Sequence, residues 1–91
     1  MAHCPFFRHR PNADIAILMI HGILGTPRHF DWLIHAIPDH IHISNILLPG
    51  HGGSVQDFSD STMKQWQNHV AQAICDLERP GRKIIVIGHS L

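Results

Sequence analysis

The sequence predicts an α/β fold, a parallel sheet with helices on both of its faces. Three observations carry that expectation. Apolar runs at 15–20, 41–47 and 84–87 are the length of strands, and the first and last are nearly continuous, as strands covered on both faces are. Two stretches with helically spaced apolar residues lie between them, so strand and helix alternate along the chain. Each strand also runs into a loop dense in glycine or proline, or into a glycine.

The elements follow in order. Residues 1–13 form a short lead-in, with Phe6-Phe7 ahead of Arg8-His9-Arg10, suited to one edge strand or to a loose segment. Residues 14–91 make up a single domain. Asp14 opens the run Ile15 to Ile20, which ends at His21-Gly22-Ile23-Leu24-Gly25, where two glycines permit a tight loop. Thr26-Pro27 is a helix start, a Thr cap followed by Pro at the first helical position. Phe30, Leu33, Ile34 and Ile37 continue at helical spacing up to Pro38.

A second strand is expected over 41–47, alternating His and Ile at first, followed by the loop Leu48-Pro49-Gly50-His51-Gly52-Gly53-Ser54. Residues 57–61 read as a polar linker. Thr62-Met63-Lys64-Gln65 fits a capping box, and Met63, Trp66, Val70, Ile74 and Leu77 form one stripe of the helix behind it. Pro80-Gly81 ends that helix, and Lys83 leads into the third strand. Right-handed crossovers and the need to cover the apolar faces place the third strand on the far side of the first. The two helices then lie on opposite faces, and a crevice opens at the carboxyl ends of the first and third strands.

Ninety-one residues make at most one small domain, which buries roughly 60–65% of its unfolded surface. The net charge is zero and the cations are scattered, which argues against nucleic acid as a partner. No apolar run is long enough to span a bilayer, and no long apolar segment follows the first residues as in a signal peptide. Cys4 and Cys75 stand far apart, as reduced thiols of a cytoplasmic protein do. Among ten histidines, His40 and His42 could share an ion from one strand face. No further ligand lies near them in sequence, so they are expected to decorate a solvent face, with no metal.

The chemistry centres on Gly88-His89-Ser90-Leu91, directly after Ile84 to Ile87. A buried strand entering Gly-x-Ser reads as the opening of a nucleophile elbow, a sharp turn that holds a serine hydroxyl above the sheet. Such a serine needs a base and oxyanion donors, and the donors are main-chain N–H groups after the serine and in the loop of the neighbouring strand. Here those would be Leu91 and Ile23. Losing one such donor costs roughly 3–4 kcal/mol of transition-state stabilisation.

Taken together, residues 21–27, 48–54 and 88–91 resemble the α/β-hydrolase superfamily, in particular its carboxylesterase, monoacylglycerol-lipase and serine-aminopeptidase-like group. The three motifs stand in that family's order and with similar spacing over about residues 14–91. The resemblance implies Ser90 as nucleophile, the Ile23 and Leu91 amides as oxyanion hole, and a pocket lined by His21, Gly22 and His51. It implies a small-molecule acyl substrate, no cofactor and no metal, and leaves the oligomeric state open. In that family the acid and the histidine follow the serine. The sequence is therefore expected to be the front half of such a domain, truncated at the elbow and inactive by itself.

Two other readings are weighed beside it. One is a non-catalytic hydrolase-like domain that serves as a binding module or has no function. The other is a nucleotide binder, which the absence of Gly-x-Gly-x-x-Gly after the first strand and of Gly-Lys-Ser/Thr disfavours.

Overall fold

In the computed structural model, which describes residues 4–89, four strands form one sheet in the order β1-β3-β2-β4. They are β1 (Phe6–Arg8), β2 (Ile15–Ile20), β3 (His42–Ile46) and β4 (Lys83–Gly88). β2 runs parallel to both β3 and β4, so the third apolar run does dock on the far side of the first. β1 is the antiparallel edge strand, paired with β3 from Phe6 opposite Asn45 to Arg8 opposite Ile43. Its neighbourhood is tied down by arginines: Arg8 donates to the Pro38 carbonyl at 2.9 Å and Arg10 to the Asp39 carbonyl at 2.8 Å.

The sheet carries a core on each face, as expected of strands that alternate with helices. Ala16, Leu18 and Ile20 of β2, with Ile46 and Leu48, pack against α3 (Met63–Leu77). Ile17 and Met19, with Ile43 of β3, pack against Phe30 and Ile34 on the opposite face. Successive side chains of β2 therefore enter different cores, which is why its sequence shows no polar alternation. β4 lies at the sheet edge, with Ile85 and Val86 exposed. No helix among the described residues is long and apolar enough to cross a membrane.

The helix predicted from Thr26 onward is shorter and tighter than its spacing suggests. A 3-10 segment spans Pro27–Phe30, and α1 covers only Asp31–Ile34. The amides of Ala36 and Ile37 then bond three residues back, to Leu33 and Ile34. Phe30 and Ile34 are the buried anchors, and aromatic and β-branched residues at this density are poor helix formers. The Thr26 cap is present, its hydroxyl accepting from the Arg28 amide at 3.4 Å. Asn45 of β3 pins the same helix start, donating to the Pro27 carbonyl at 2.8 Å.

Two local expectations are corrected. Residues 57–61 are no linker, because α2 (Val55–Asp60) occupies most of that stretch. A capping box starts it: the Asp57 amide donates to the Ser54 hydroxyl at 3.1 Å, and the Ser54 amide to the Asp57 carboxylate at 3.0 Å. His40 and His42 do not share a solvent face either. His40 is exposed ahead of β3, while His42 is buried under the α3 side of the sheet. β1 covers that edge of β3, and the Arg10 amide donates to His42 Nδ1 at 2.9 Å. Thr62 and Gln65 do form the capping box expected at the start of α3.

Candidate active site

The three parallel strands finish in one row. Ile20 at the end of β2 pairs with Ile46 of β3 on one side and Gly88 of β4 on the other. The ladder continues one step further, with the His89 amide donating to the Ile20 carbonyl at 3.1 Å. The loops that follow β2 and β3 thus leave the sheet at the same end as His89. Ser90 and Leu91, the expected nucleophile and one expected oxyanion donor, lie outside the described residues. The His89 ring turns toward the 3-10 segment, edge-on to His29 and Phe30.

The loop after β2 is a tight turn, closed by the Gly25 amide donating to the Gly22 carbonyl at 2.8 Å. Leu24 has φ 61°, the left-handed region that the third position of a type II turn occupies. A side chain at position 25 would press on the Gly22 carbonyl, with Cβ 2.8 Å from its oxygen, so glycine is needed there. Gly22 is buried, whereas Ile23 and Leu24 stand out at 44% and 73% exposure. Among the described residues no group accepts from the Ile23 amide. That N–H is the kind of donor an oxyanion requires.

Two histidines connect this turn to the loop after β3. His21 is fully buried, with its Nδ1 2.8 Å from the Gly22 carbonyl and its Nε2 accepting from the Leu48 amide at 3.0 Å. His51 is 8% exposed, with Nδ1 3.1 Å from the Pro49 carbonyl and Nε2 accepting from the Leu24 amide at 3.0 Å. An Nε2 that accepts carries no proton, so the hydrogen-bond pattern assigns both rings as neutral Nδ1–H tautomers. The rings lie 4.9 Å apart, centre to centre.

Trp66 of α3 supports the second loop from below. Its indole N–H donates to the Pro49 carbonyl at 2.9 Å, and its ring stacks on Phe58 of α2. His51 meets both of these rings edge-on. A cleft of ≈ 160 Å³ separates the two loops, bordered by Leu24, Gly50, His51, Gly53 and Phe58. On the α3 side Ile23 borders an apolar groove of ≈ 430 Å³ with Ile20, Met63, Trp66 and Val70. The turn therefore stands between a polar loop and an apolar wall.

No described carboxylate orients either histidine. Asp57 is engaged in its capping box, and Asp60 accepts from Gln56 at 2.9 Å. Among the described residues no three of His, Cys, Asp and Glu converge as a metal site would. Sequence reading missed the support supplied by Phe58 and the Ser54–Asp57 box. The signal that would have found it is Ser54-Val55-Gln56-Asp57, a capping-box spacing hidden among turn-forming residues.

No family model and no curated protein matches the chain. Among solved structures, it is similar to one described for LipS and LipT, two metagenome-derived lipolytic enzymes, with a TM-score of 0.80 and 21% identity. The likeness covers 96% of this chain and 35% of that one, so these residues span about a third of its length. The architecture is thus a mixed α/β fold similar to part of a lipolytic enzyme's.

Proposed function

We propose that these residues carry the nucleophile and oxyanion side of a serine hydrolase that acts on carboxylic esters or related acyl compounds. Ser90 would attack the acyl carbon, and the Ile23 and Leu91 amides would stabilise the oxyanion on the way to an acyl-enzyme. One observation carries the reading. The turn holding the Ile23 amide, which has no acceptor among the described residues, leaves the sheet beside the strand that leads to Ser90, with Ile20 paired to Gly88. The fold likeness to a lipolytic enzyme supports the same class. Two exposed, unpaired cysteines support a reducing, cytoplasmic setting.

The alternative is a hydrolase-like domain without activity, which serves as a binding module or has no function. His21 and His51 have both ring nitrogens committed to main-chain groups, so neither takes a proton from serine without breaking a loop bond. For the 91 residues on their own we expect no turnover of a short acyl ester. The deciding experiment is labelling with an alkyl fluorophosphonate, applied to the protein as its own gene expresses it and mapped by mass spectrometry. An adduct on Ser90 that disappears in Ser90→Ala supports the hydrolase. A folded protein that stays unlabelled leaves the non-catalytic domain.

A further inference from the structure

We infer that His51 is a positioning residue, a latch that holds the Gly22–Gly25 turn in place through the Nδ1–H tautomer of its imidazole. The start of the turn is held by His21 on the Gly22 carbonyl, whereas its tip at Ile23–Leu24 has little else to hold it among the described residues. Leu24 sits in the left-handed region, which is disfavoured for a residue with a side chain. Leu24 is 73% exposed, so packing contributes little to its placement, and Ile23 is only partly covered at 44% exposure. Among the described residues three bonds hold its main chain: Gly25 to Gly22 within the turn, His21 Nδ1–H to the Gly22 carbonyl at its start, and, at its tip, the Leu24 amide to His51 Nε2 across 27 residues of sequence.

The imidazole is itself fixed from several sides. Its Nδ1–H donates to the Pro49 carbonyl, and its own amide donates to the Leu48 carbonyl at 3.1 Å. The rings of His21, Phe58 and Trp66 stand around it at centre distances of 4.9, 5.2 and 5.6 Å. Only an unprotonated Nε2 can accept from Leu24. The other tautomer, like the imidazolium, would set one N–H against another. The consequence for catalysis rests on reading the neighbouring Ile23 amide as an oxyanion donor, whereas the latch can be measured without turnover.

The test uses the protein as its own gene expresses it, labelled with ¹⁵N. Imidazole nitrogen shifts in the unmodified chain should report His51 as the Nδ1–H tautomer. In His51→Asn the amide can still reach Pro49 but no longer accepts from Leu24. Its Leu24 amide should exchange about tenfold faster, the worth of one net hydrogen bond. Order parameters at Ile23 and Leu24 should fall from about 0.85 to below about 0.6. His51→Gln places an acceptor near the Nε2 position and should restore both readings.

A wild-type Nε2–H tautomer, or an Asn variant in which Leu24 stays protected, would overturn the latch. So would a Gln variant that behaves like Asn. If the Asn variant does not fold, the wild-type tautomer decides alone. A Ser90 that resists fluorophosphonate leaves these readings unchanged, so failure of the hydrolase reading is told apart from failure of the latch.

Discussion

The Leu48 amide donates to Nε2 of His21 at 3.0 Å, and this bond joins the residues that follow two adjacent parallel strands. Both partners are buried, Leu48 at 3% exposure and His21 at 0%. The ring therefore satisfies a main-chain donor that water cannot reach.

His21→Ala should accordingly destabilise the fold by roughly 2–4 kcal/mol, from the cavity and the stranded Leu48 N–H together. His21→Gln, which can still accept there, should lose distinctly less. Chemical denaturation of the three proteins checks this. Equal losses for Ala and Gln would refute the assignment, because Gln keeps both an acceptor and most of the volume.

His42 makes stability depend on pH. Burial, and next the positive charge of Arg82, hold its pKa below the ordinary 6.5, with His9 and Arg79 acting in the same direction. The unfolded chain then binds more protons at this residue than the native one, so stability rises with pH in that range. The contribution is intact above about pH 6.5, is lost progressively below it, and levels off under the folded pKa. His42→Asn keeps an acceptor for the Arg10 amide but cannot titrate. Denaturation between pH 8 and pH 5 should show a steeper loss for the parent than for this variant. Parallel curves would refute the assignment.

Gly50 and Gly81 both have positive φ, 78° and 76°, yet they should respond differently to alanine. At position 81 an added Cβ meets nothing within 4 Å, leaving only the conformational cost of about 1–2 kcal/mol. At position 50 it would stand 2.6 Å from the Ser61 hydroxyl and 2.8 Å from the Asp57 carbonyl. Gly50→Ala should therefore cost more, and should disturb α2 and the loop above Trp66. Thermal melts of the pair check the ranking. Equal shifts would mean that the loop yields freely.

Much of the fold was legible because its signals are local. Ile15 to Ile20 reads as a buried strand because six consecutive apolar residues serve two cores at once. Thr62 and Gln65 mark a helix start because their bonds span three residues. The parallel order followed from alternation, and the place of β4 beyond β2 followed from crossover handedness and the need to cover both faces. The same loops that identify the candidate site, 21–25 and 48–54, stood out by their glycines.

Other features were decided only by tertiary contacts. His42 looks like a surface residue in a strand that alternates with isoleucine, and it is buried because β1 and α3 close over β3. Residues 57–61 look like linker, and α2 (Val55–Asp60) takes most of them, its Phe58 gaining a partner in Trp66. His21 and His51 stand in loops expected to line a pocket, and only the fold shows that Nε2 of each accepts from a main-chain amide 27 residues away. The sequence by itself determined the alternation of elements, the two buried faces and the glycine-bearing turns, since each depends on neighbours within a few positions. The protonation pattern of the two histidines and the left-handed Leu24 were decided by the tertiary structure, because their bonding partners come from a different strand's loop.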